Sequence, residues 1–226
     1  MDLSRVEIVI GSLATSKLQA AKVAVVGLGG VGSYIAEALA RSGVGSLLLI
    51  DADNISASNI NRQLPALQST MGRSKVEVMR KRLLDINPAC QIEVKEAYYE
   101  PGDFATFFSG HFDYIADAID AVASKVDLVA TAHQCGIRTI SALGTGNKLD
   151  PTRLQITDIA KTHTCPLARA VRSQLKKLGI TDGVDVVFSD ETPQRVPGAE
   201  VPGSMIFVPA TAGLLMSSVI VRALIK

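Results

Sequence analysis

Cysteine is scarce in this sequence: Cys90, Cys135 and Cys165 are the only three, far apart and with no C-x-x-C pair. An odd, scattered set excludes a disulfide framework and a four-cysteine zinc site, so no structural zinc is expected and a reducing, cytoplasmic setting fits. Neither sign of charge dominates. The net value of +1 neither requires nor excludes a nucleic-acid partner, so any basic surface must be local. Long apolar runs are missing too. The tail at 205–225 is interrupted by Pro209, Gly213, Ser217, Ser218 and Arg222, short of the ~20 residues a spanning helix needs. It is expected to form a buried strand and then a buried helix, without integral membrane contact. The opening MDLSRVEIVIGS lacks a basic region followed by an apolar run, so no leader is expected. No internal repeat and no interdomain linker is visible.

What is present suffices for one α/β domain. The chain has 226 residues, 47% of them hydrophobic, with a mean hydropathy of +0.27, so a sizeable core is easily built. KVAVV at 22–26 is a β-branched run ending at Gly27, the pattern of a buried parallel strand. Residues 31–42 follow with Ile35, Ala38 and Leu39 on one helical face, and SLLLI at 46–50 is the next strand. Val76, Met79 and Leu83 mark a helix over 75–86, stopped by Asn87-Pro88. Alternation at Ile92 and Val94 gives a strand, and Phe104, Phe107 and Phe108 a short buried helix. A strand at 114–116, a helix through Val122, Val126 and Val129, and a strand at 138–143 continue the series. Such alternation predicts a Rossmann-like, doubly wound α/β fold with a mostly parallel sheet and helices on both faces. Residues 1–150 form its nucleotide-binding core. Residues 151–226 supply a substrate side: a helix through Leu167, Val171, Leu175 and Leu178, a strand at 185–188, and a Pro- and Gly-rich loop at 189–204 of the kind that serves as a lid.

Gly27-Leu28-Gly29-Gly30-Val31-Gly32 lies between a predicted strand and a predicted helix. Glycines allow a sharp turn and close approach to a phosphate, and a helix N-terminus offers unpaired N–H groups and partial positive charge. Asp51, about twenty residues on at the end of the next strand, can accept hydrogen bonds from ribose hydroxyls. This loop does not by itself separate a dinucleotide from ATP. The following residues do: Asp53, Asn59, Arg62, Gln63 and, near a helix start, Lys75. A triphosphate needs several cations; Arg62 can fork onto its oxygens and Lys75 adds a point charge. Asp120 can hold Mg²⁺ through water. Read singly, Arg62 and Lys75 are equally ordinary surface charges.

Four segments together carry a resemblance: GLGGVGS (27–33), IDADNISASNINRQ (50–63), GRSK (72–75) and DAID (117–120). With them the chain resembles the ubiquitin-activating-type (ThiF/MoeB-like) adenylyltransferase superfamily over nearly its whole length. The resemblance implies that Asp51 binds ribose, that Asn59, Arg62 and Lys75 grip phosphates, and that Asp120 helps place the metal. It also implies a homodimer in which Arg5 reaches the partner's phosphates. Within the superfamily, NRQLPAL (61–67), DAIDAVASK (117–125), ALGTGNKLDPTRLQITDIAKT (142–162) and CPLARAVRSQLKK (165–177) are most similar to the tRNA threonylcarbamoyladenosine dehydratase branch. That branch implies ATP-dependent cyclisation. The threonylcarbamoyl carboxylate is adenylated, and an atom of the same side chain then displaces AMP, a step helped by proximity. It also implies tRNA as substrate and admits a sulfur-relay or cysteine desulfurase partner.

Two further groups are candidates. Cys165 precedes Pro166 at a helix start, where a thiol meets the helix's positive end, so it is a candidate nucleophile; the competing reading is an ordinary capping cysteine. Arg169, Arg172, Lys176 and Lys177 lie opposite the leucine stripe and, with Arg153 and Lys161, make a candidate tRNA-backbone patch; the competing reading is a solvated helix face. Cys90 and Cys135 are expected in the core. The alternative activity is adenylation of the C-terminus of a ubiquitin-like sulfur carrier, against which the missing zinc cysteines count. A nicotinamide-dependent dehydrogenase is disfavoured by Arg62 and Lys75, and a non-catalytic nucleotide-binding adaptor by the intact phosphate-binding set.

Overall fold

Residues alternate between two buried faces in the central strands, and this decides the architecture. On β1 (Lys22–Val26) Val23 and Val25 join one apolar cluster, while Ala24 and Val26 join another. On β2 (Ser46–Ile50) Leu47 and Leu49 go with the first pair, Leu48 and Ile50 with the second. Both faces of the sheet are therefore covered, which is why these strands are unbroken apolar runs rather than alternating ones. A computed structural model describes residues 1–194, 197–198 and 201–226.

The remaining elements, in chain order, are α1 (Ser4–Ile10) and α2 (Ser12–Ala20) before β1, and α3 (Gly32–Arg41) before β2. Then come α4 (Lys75–Ile86), β3 (Gln91–Lys95), α5 (Phe104–Phe107), β4 (Tyr114–Asp117), α6 (Val122–Gln134) and β5 (Thr139–Ala142). The chain ends with β6 (Leu154–Asp158), α7 (Pro166–Lys177), β7 (Asp185–Ser189) and α8 (Phe207–Leu224). The seven strands are ordered β3-β2-β1-β4-β5-β7-β6. Every pairing is parallel except β6 with β7, where Leu154 opposes Ser189. The direction of winding reverses between β1 and β4, and the crevice beyond the strand ends there is where a doubly wound sheet takes a ligand.

Helices α3, α4 and α8 cover one face through Ile35, Leu39, Val76, Met79, Met216 and Ile220. On the other, α5 and α6 bury Phe104, Phe107, Leu128 and Ala132. Helix α7 adds Val171 and Leu175 to a third cluster with α6 and β7.

Three expectations are corrected. The tail contains no strand among its described residues. It is one helix, α8, with Val208, Ala212, Gly213 and Met216 in the core; Gly213 lies so close to α3 that an added Cβ would stand 2.6 Å from the Val31 carbonyl oxygen. By length and composition α8 is apolar enough to cross a membrane, and 39% of its residues are buried against the protein. Leu178 falls past the end of α7 and is exposed, so the stripe ends at Leu175. Cys135 is exposed at the end of α6, whereas Cys90 is buried as expected. The sequence reading also missed α1, α2 and β6, whose burial is too slight to impose a clear period. Of the expected lid at 189–204, residues 195, 196, 199 and 200 lie outside the described residues.

Candidate active site

The glycine loop after β1 is sterically obligatory at two positions. Gly27 has φ +88°, and a Cβ there would lie 2.7 Å from the Ala118 carbonyl oxygen. At Gly32 a Cβ would stand 1.7 Å from the Gly27 carbonyl oxygen. Gly29 and Gly30 serve differently: both line the cavity before α3, and a Cβ on Gly30 would stand 3.2 Å from the side chains of Arg62 and Pro209. The N–H groups of Gly29, Gly30 and Val31 find no acceptor among the described residues, and no side chain caps α3. A helix end of this kind is ready for an anion.

Asp51 directly follows β2 and shapes the loop. Its carboxylate accepts from Leu28 N–H at 2.7 Å and Asp53 N–H at 2.8 Å. Burial pushes it above the usual carboxylate range, against the pull of Lys75 3.8 Å away. Asp53 is held by Lys75 Nζ at 2.7 Å and by the Tyr98 hydroxyl at 2.6 Å. Burial works to raise it, but those two hydrogen bonds outweigh burial and hold it below the usual range. Lys75 opens α4, where a cation opposes the helix dipole, and is buried; its two carboxylate neighbours offset both costs. Arg62 lines the same cavity, and its guanidinium donates to the Ser58 carbonyl oxygen and Asn61 Oδ1. Asn59 Oδ1 accepts from Ser56 N–H, fixing the turn that carries Arg62. Gln63 is buried beside Gly29 and its Oε1 has no partner among the described residues, so a donor from a ligand would satisfy it.

Asp120 is exposed and stands at the end of a turn that starts from a buried ion pair. Asp117 Oδ2 accepts from Lys125 Nζ at 2.7 Å and Ser141 Oγ at 2.6 Å, and its Oδ1 accepts from Ile119 N–H at 3.0 Å. Lys125 also donates to the Ala142 carbonyl oxygen. This network binds β4, β5 and α6 together under the site. In the sequence its only trace is the eight-residue separation of Asp117 and Lys125 within DAIDAVASK.

These groups meet in one cavity of about 840 Å³. Gly27, Gly29, Gly30, Asp51 and Asp53 line it at the β1–β2 end, with Asn59, Arg62, Gln63, Lys75 and Asp120 beside them. It continues past β5 to Gly144, Lys148 and Cys165. The Cys165 side chain is the N-cap of α7, accepting from Ala168 N–H, and a Cβ on Gly144 would lie 2.2 Å from its sulfur. Gly32 sits beneath the loop, not on the cavity wall. Within one chain, Arg5 lies on α1, exposed and away from the cavity.

The basic set lines none of the cavity. Arg153 is exposed and paired with Asp190 at 2.6 Å, whereas Arg172 is half-buried and donates to the Thr162 carbonyl oxygen. Lys161, Arg169, Lys176 and Lys177 are exposed. Among the described residues no group of three or more His, Cys, Asp and Glu side chains could hold a metal.

The model of the ThiF family matches residues 3–226. The chain belongs to the ThiF family. Among family relatives, the tRNA threonylcarbamoyladenosine dehydratase of Bacillus subtilis strain 168 is 44% identical, covering 99% of this chain and 94% of the relative. The enzyme of that name from Haemophilus influenzae is 38% identical, covering 93% and 88%. Among solved structures, the Escherichia coli tRNA N6-threonylcarbamoyladenosine dehydratase in complex with AMP superposes with a TM-score of 0.93 at 37% identity, covering 97% and 92%. Its complex with ATP gives 0.92. Fold and family thus agree with the resemblance drawn from the four segments.

Proposed function

We propose that this chain uses ATP to adenylate the carboxylate of a threonylcarbamoyl group on a tRNA adenosine, and then closes that group into a ring with loss of water. One observation carries the reading. One end of the cavity has N–H groups before α3 that find no acceptor among the described residues, with Arg62 and Lys75 on the wall, and it is continuous with a second half that reaches Gly144, Lys148 and Cys165. The relatives' names and the AMP and ATP complexes of the Escherichia coli enzyme support the same substrates.

The steps follow from charge. A carboxylate oxygen attacks the α-phosphorus and the bond to the β-phosphate breaks, releasing pyrophosphate. An atom of the same side chain then attacks the acyl carbon, and AMP leaves. Attack from within one side chain gains from proximity, so the protein's task is positioning and charge neutralisation. In this reading Asp51 receives the ribose, the N–H groups of Gly29 and Gly30 the phosphates, and Gln63 Oε1 a ligand donor. Asn59 sets the turn of Arg62. Lys75 exchanges Asp53 for phosphate oxygens. Asp120, exposed and bonded to no described residue, is the carboxylate suited to Mg²⁺, which when bound offsets triphosphate charge.

Residues 1–226 act in this reading as one adenylation unit. A homodimer is part of it: α1 buries none of its residues, and Ile8, Val9 and Leu13 are exposed beside Arg5, so a second copy has an apolar face to cover. Lys161, Arg169, Lys176 and Lys177 are its tRNA-backbone contacts. A cytoplasmic location follows from a tRNA substrate and three free cysteines. A sulfur-relay partner would address Cys165, the thiol on the cavity wall.

The test is incubation with ATP, Mg²⁺ and tRNA bearing threonylcarbamoyladenosine, followed by mass spectrometry of nucleosides. Loss of one water with AMP formed is expected. An unchanged nucleoside under conditions where ATP binds overturns the reading. Arg62→Ala is expected to abolish turnover while the fold melts as in the wild type.

A further inference from the structure

The half of the cavity past β5 contains a buried cation with no counter-ion among the described residues. Lys148 is only 4% exposed, yet it lines the cavity. Its ammonium makes one hydrogen bond, to the Ser189 carbonyl oxygen at 2.7 Å, and no ion pair within 4 Å among the described residues. An ammonium has three donors, so two are unspent. A buried charge with one neutral partner is costly.

Among the described residues, the acids nearest in sequence to its Ser189 partner are committed elsewhere. Glu191 accepts from the N–H groups of Leu149 and Asp150, and Asp190 is held by Arg153 and Gln155. Their fields and that of Cys165 reach Lys148, but burial prevails and pulls its ammonium below the usual lysine range. The loop cannot easily turn the side chain away. Asn147 is held at φ +59°, with its N–H on the Gly203 carbonyl oxygen, its Oδ1 on Gly203 N–H and its carbonyl on Gln194 N–H, each at 2.7 Å. Lys148 is thus fixed beyond β5, two strands and about 10 Å across the sheet from the glycine loop.

The geometry points to Lys148 as the residue that receives the substrate's carboxylate. This rests on the adenylation reading above and names a group that touches the reacting atoms. Lys148 pairs with the carboxylate as it is aimed at the α-phosphorus. Once one oxygen is bonded to phosphorus, the ammonium keeps its hydrogen bond to the remaining carbonyl oxygen. That oxygen becomes negative when the ring-closing atom attacks, so the bond strengthens at the step where it helps, and is released as AMP departs.

The test compares two anticodon stem-loop RNAs, one carrying threonylcarbamoyladenosine and one with its carboxyl group converted to a methyl amide. Binding is read by fluorescence anisotropy with a non-hydrolysable ATP analogue present. Wild type is expected to prefer the acid by on the order of 10- to 100-fold, the scale of a hydrogen bond to a charged group. Lys148→Met is expected to erase that preference while ATP-analogue affinity stays within about twofold. A merely structural lysine would instead weaken acid and amide alike. Should Lys148→Met fail to bind the analogue, Lys148→Gln takes its place, because it can keep the bond to Ser189 without the charge. A preference that survives in the variant, or is absent from the wild type, overturns this inference alone. If wild type binds neither modified RNA better than the unmodified one, this inference and the substrate reading fall together.

Discussion

Replacing Lys125 by methionine should destabilise the fold by breaking the Asp117 pair from one side. Both side chains are fully buried, and in the variant Asp117 keeps only Ser141 Oγ and Ile119 N–H. Removing one partner of a buried pair costs about 3–5 kcal/mol, because the other charge remains without compensation. Methionine is close to lysine in length, so little of the loss comes from a cavity. For a domain of this size about 2–4 °C accompany each kcal/mol, so the melting temperature should fall by roughly 6–20 °C. Calorimetry and urea unfolding measure it. Adding Asp117→Asn should recover a large part of the loss, since the orphaned charge goes with it. Turnover should fall too, because Asp117 Oδ1 holds the turn that carries Asp120. A loss below about 1 kcal/mol, or a double variant as unstable as the sum of the two singles, would refute the reasoning.

Three more outcomes are expected. Glu37 bridges α3 and α4 through Arg82 at 2.5 Å and also takes Arg41; burial works to raise its carboxyl, but the two arginines hold it below the ordinary 4.5. A depressed carboxylate adds stability above its unfolded value and loses it as pH falls through its folded value. Glu37→Gln should therefore melt lower than wild type at neutral pH, by about 0.5–1 kcal/mol after solvent screening, and converge with it below pH 4.5. A pH series of melts decides this; a constant gap down to pH 2 would contradict it. Gly32→Ala, with its methyl 1.7 Å from the Gly27 carbonyl oxygen, should cost about 1–3 kcal/mol and remove the rise in melting temperature that ATP produces. An intact ATP-dependent rise counts against the loop geometry. In native protein iodoacetamide should label Cys135, which is exposed, far ahead of buried Cys165 and of Cys90, whose thiol burial pushes up to about 11. Peptide mass spectrometry reads the order, and equal labelling of Cys90 would refute it.

Strand and helix positions between residues 22 and 150 were readable because each short segment there carries its own signal. KVAVV and SLLLI are apolar on both faces, and Asn87-Pro88 ends α4 by backbone sterics alone. The glycine loop was readable for the same reason: the positive φ of Gly27 and the Gly27 carbonyl oxygen beside Gly32 are local constraints, to which Ala118 adds a tertiary one at Gly27. Elements whose character comes from their neighbours were not. The tail reads as strand then helix until α3 is seen to accept it as one helix through Gly213, and β6 is a strand only because β7 lies beside it.

The same division runs through the site. Asp51, Arg62, Lys75 and Asp120 could be picked out from their spacing and their resemblance to a family, because a phosphate-binding turn is a local object. That Lys75 rests on Asp53 in the free protein, and that Lys125 lies under Asp120's turn, depends on side chains brought together over 22 and 8 residues of sequence. For Lys148 the separation is larger still: its partner is the carbonyl of Ser189, 41 residues on, and the acids that might neutralise it are diverted by contacts no local pattern records. The sequence by itself determined the nucleotide loop and the sheet around it, since those depend on backbone sterics and apolar period. Which charges are left unpaired was decided only by the tertiary structure, because pairing depends on distance and burial.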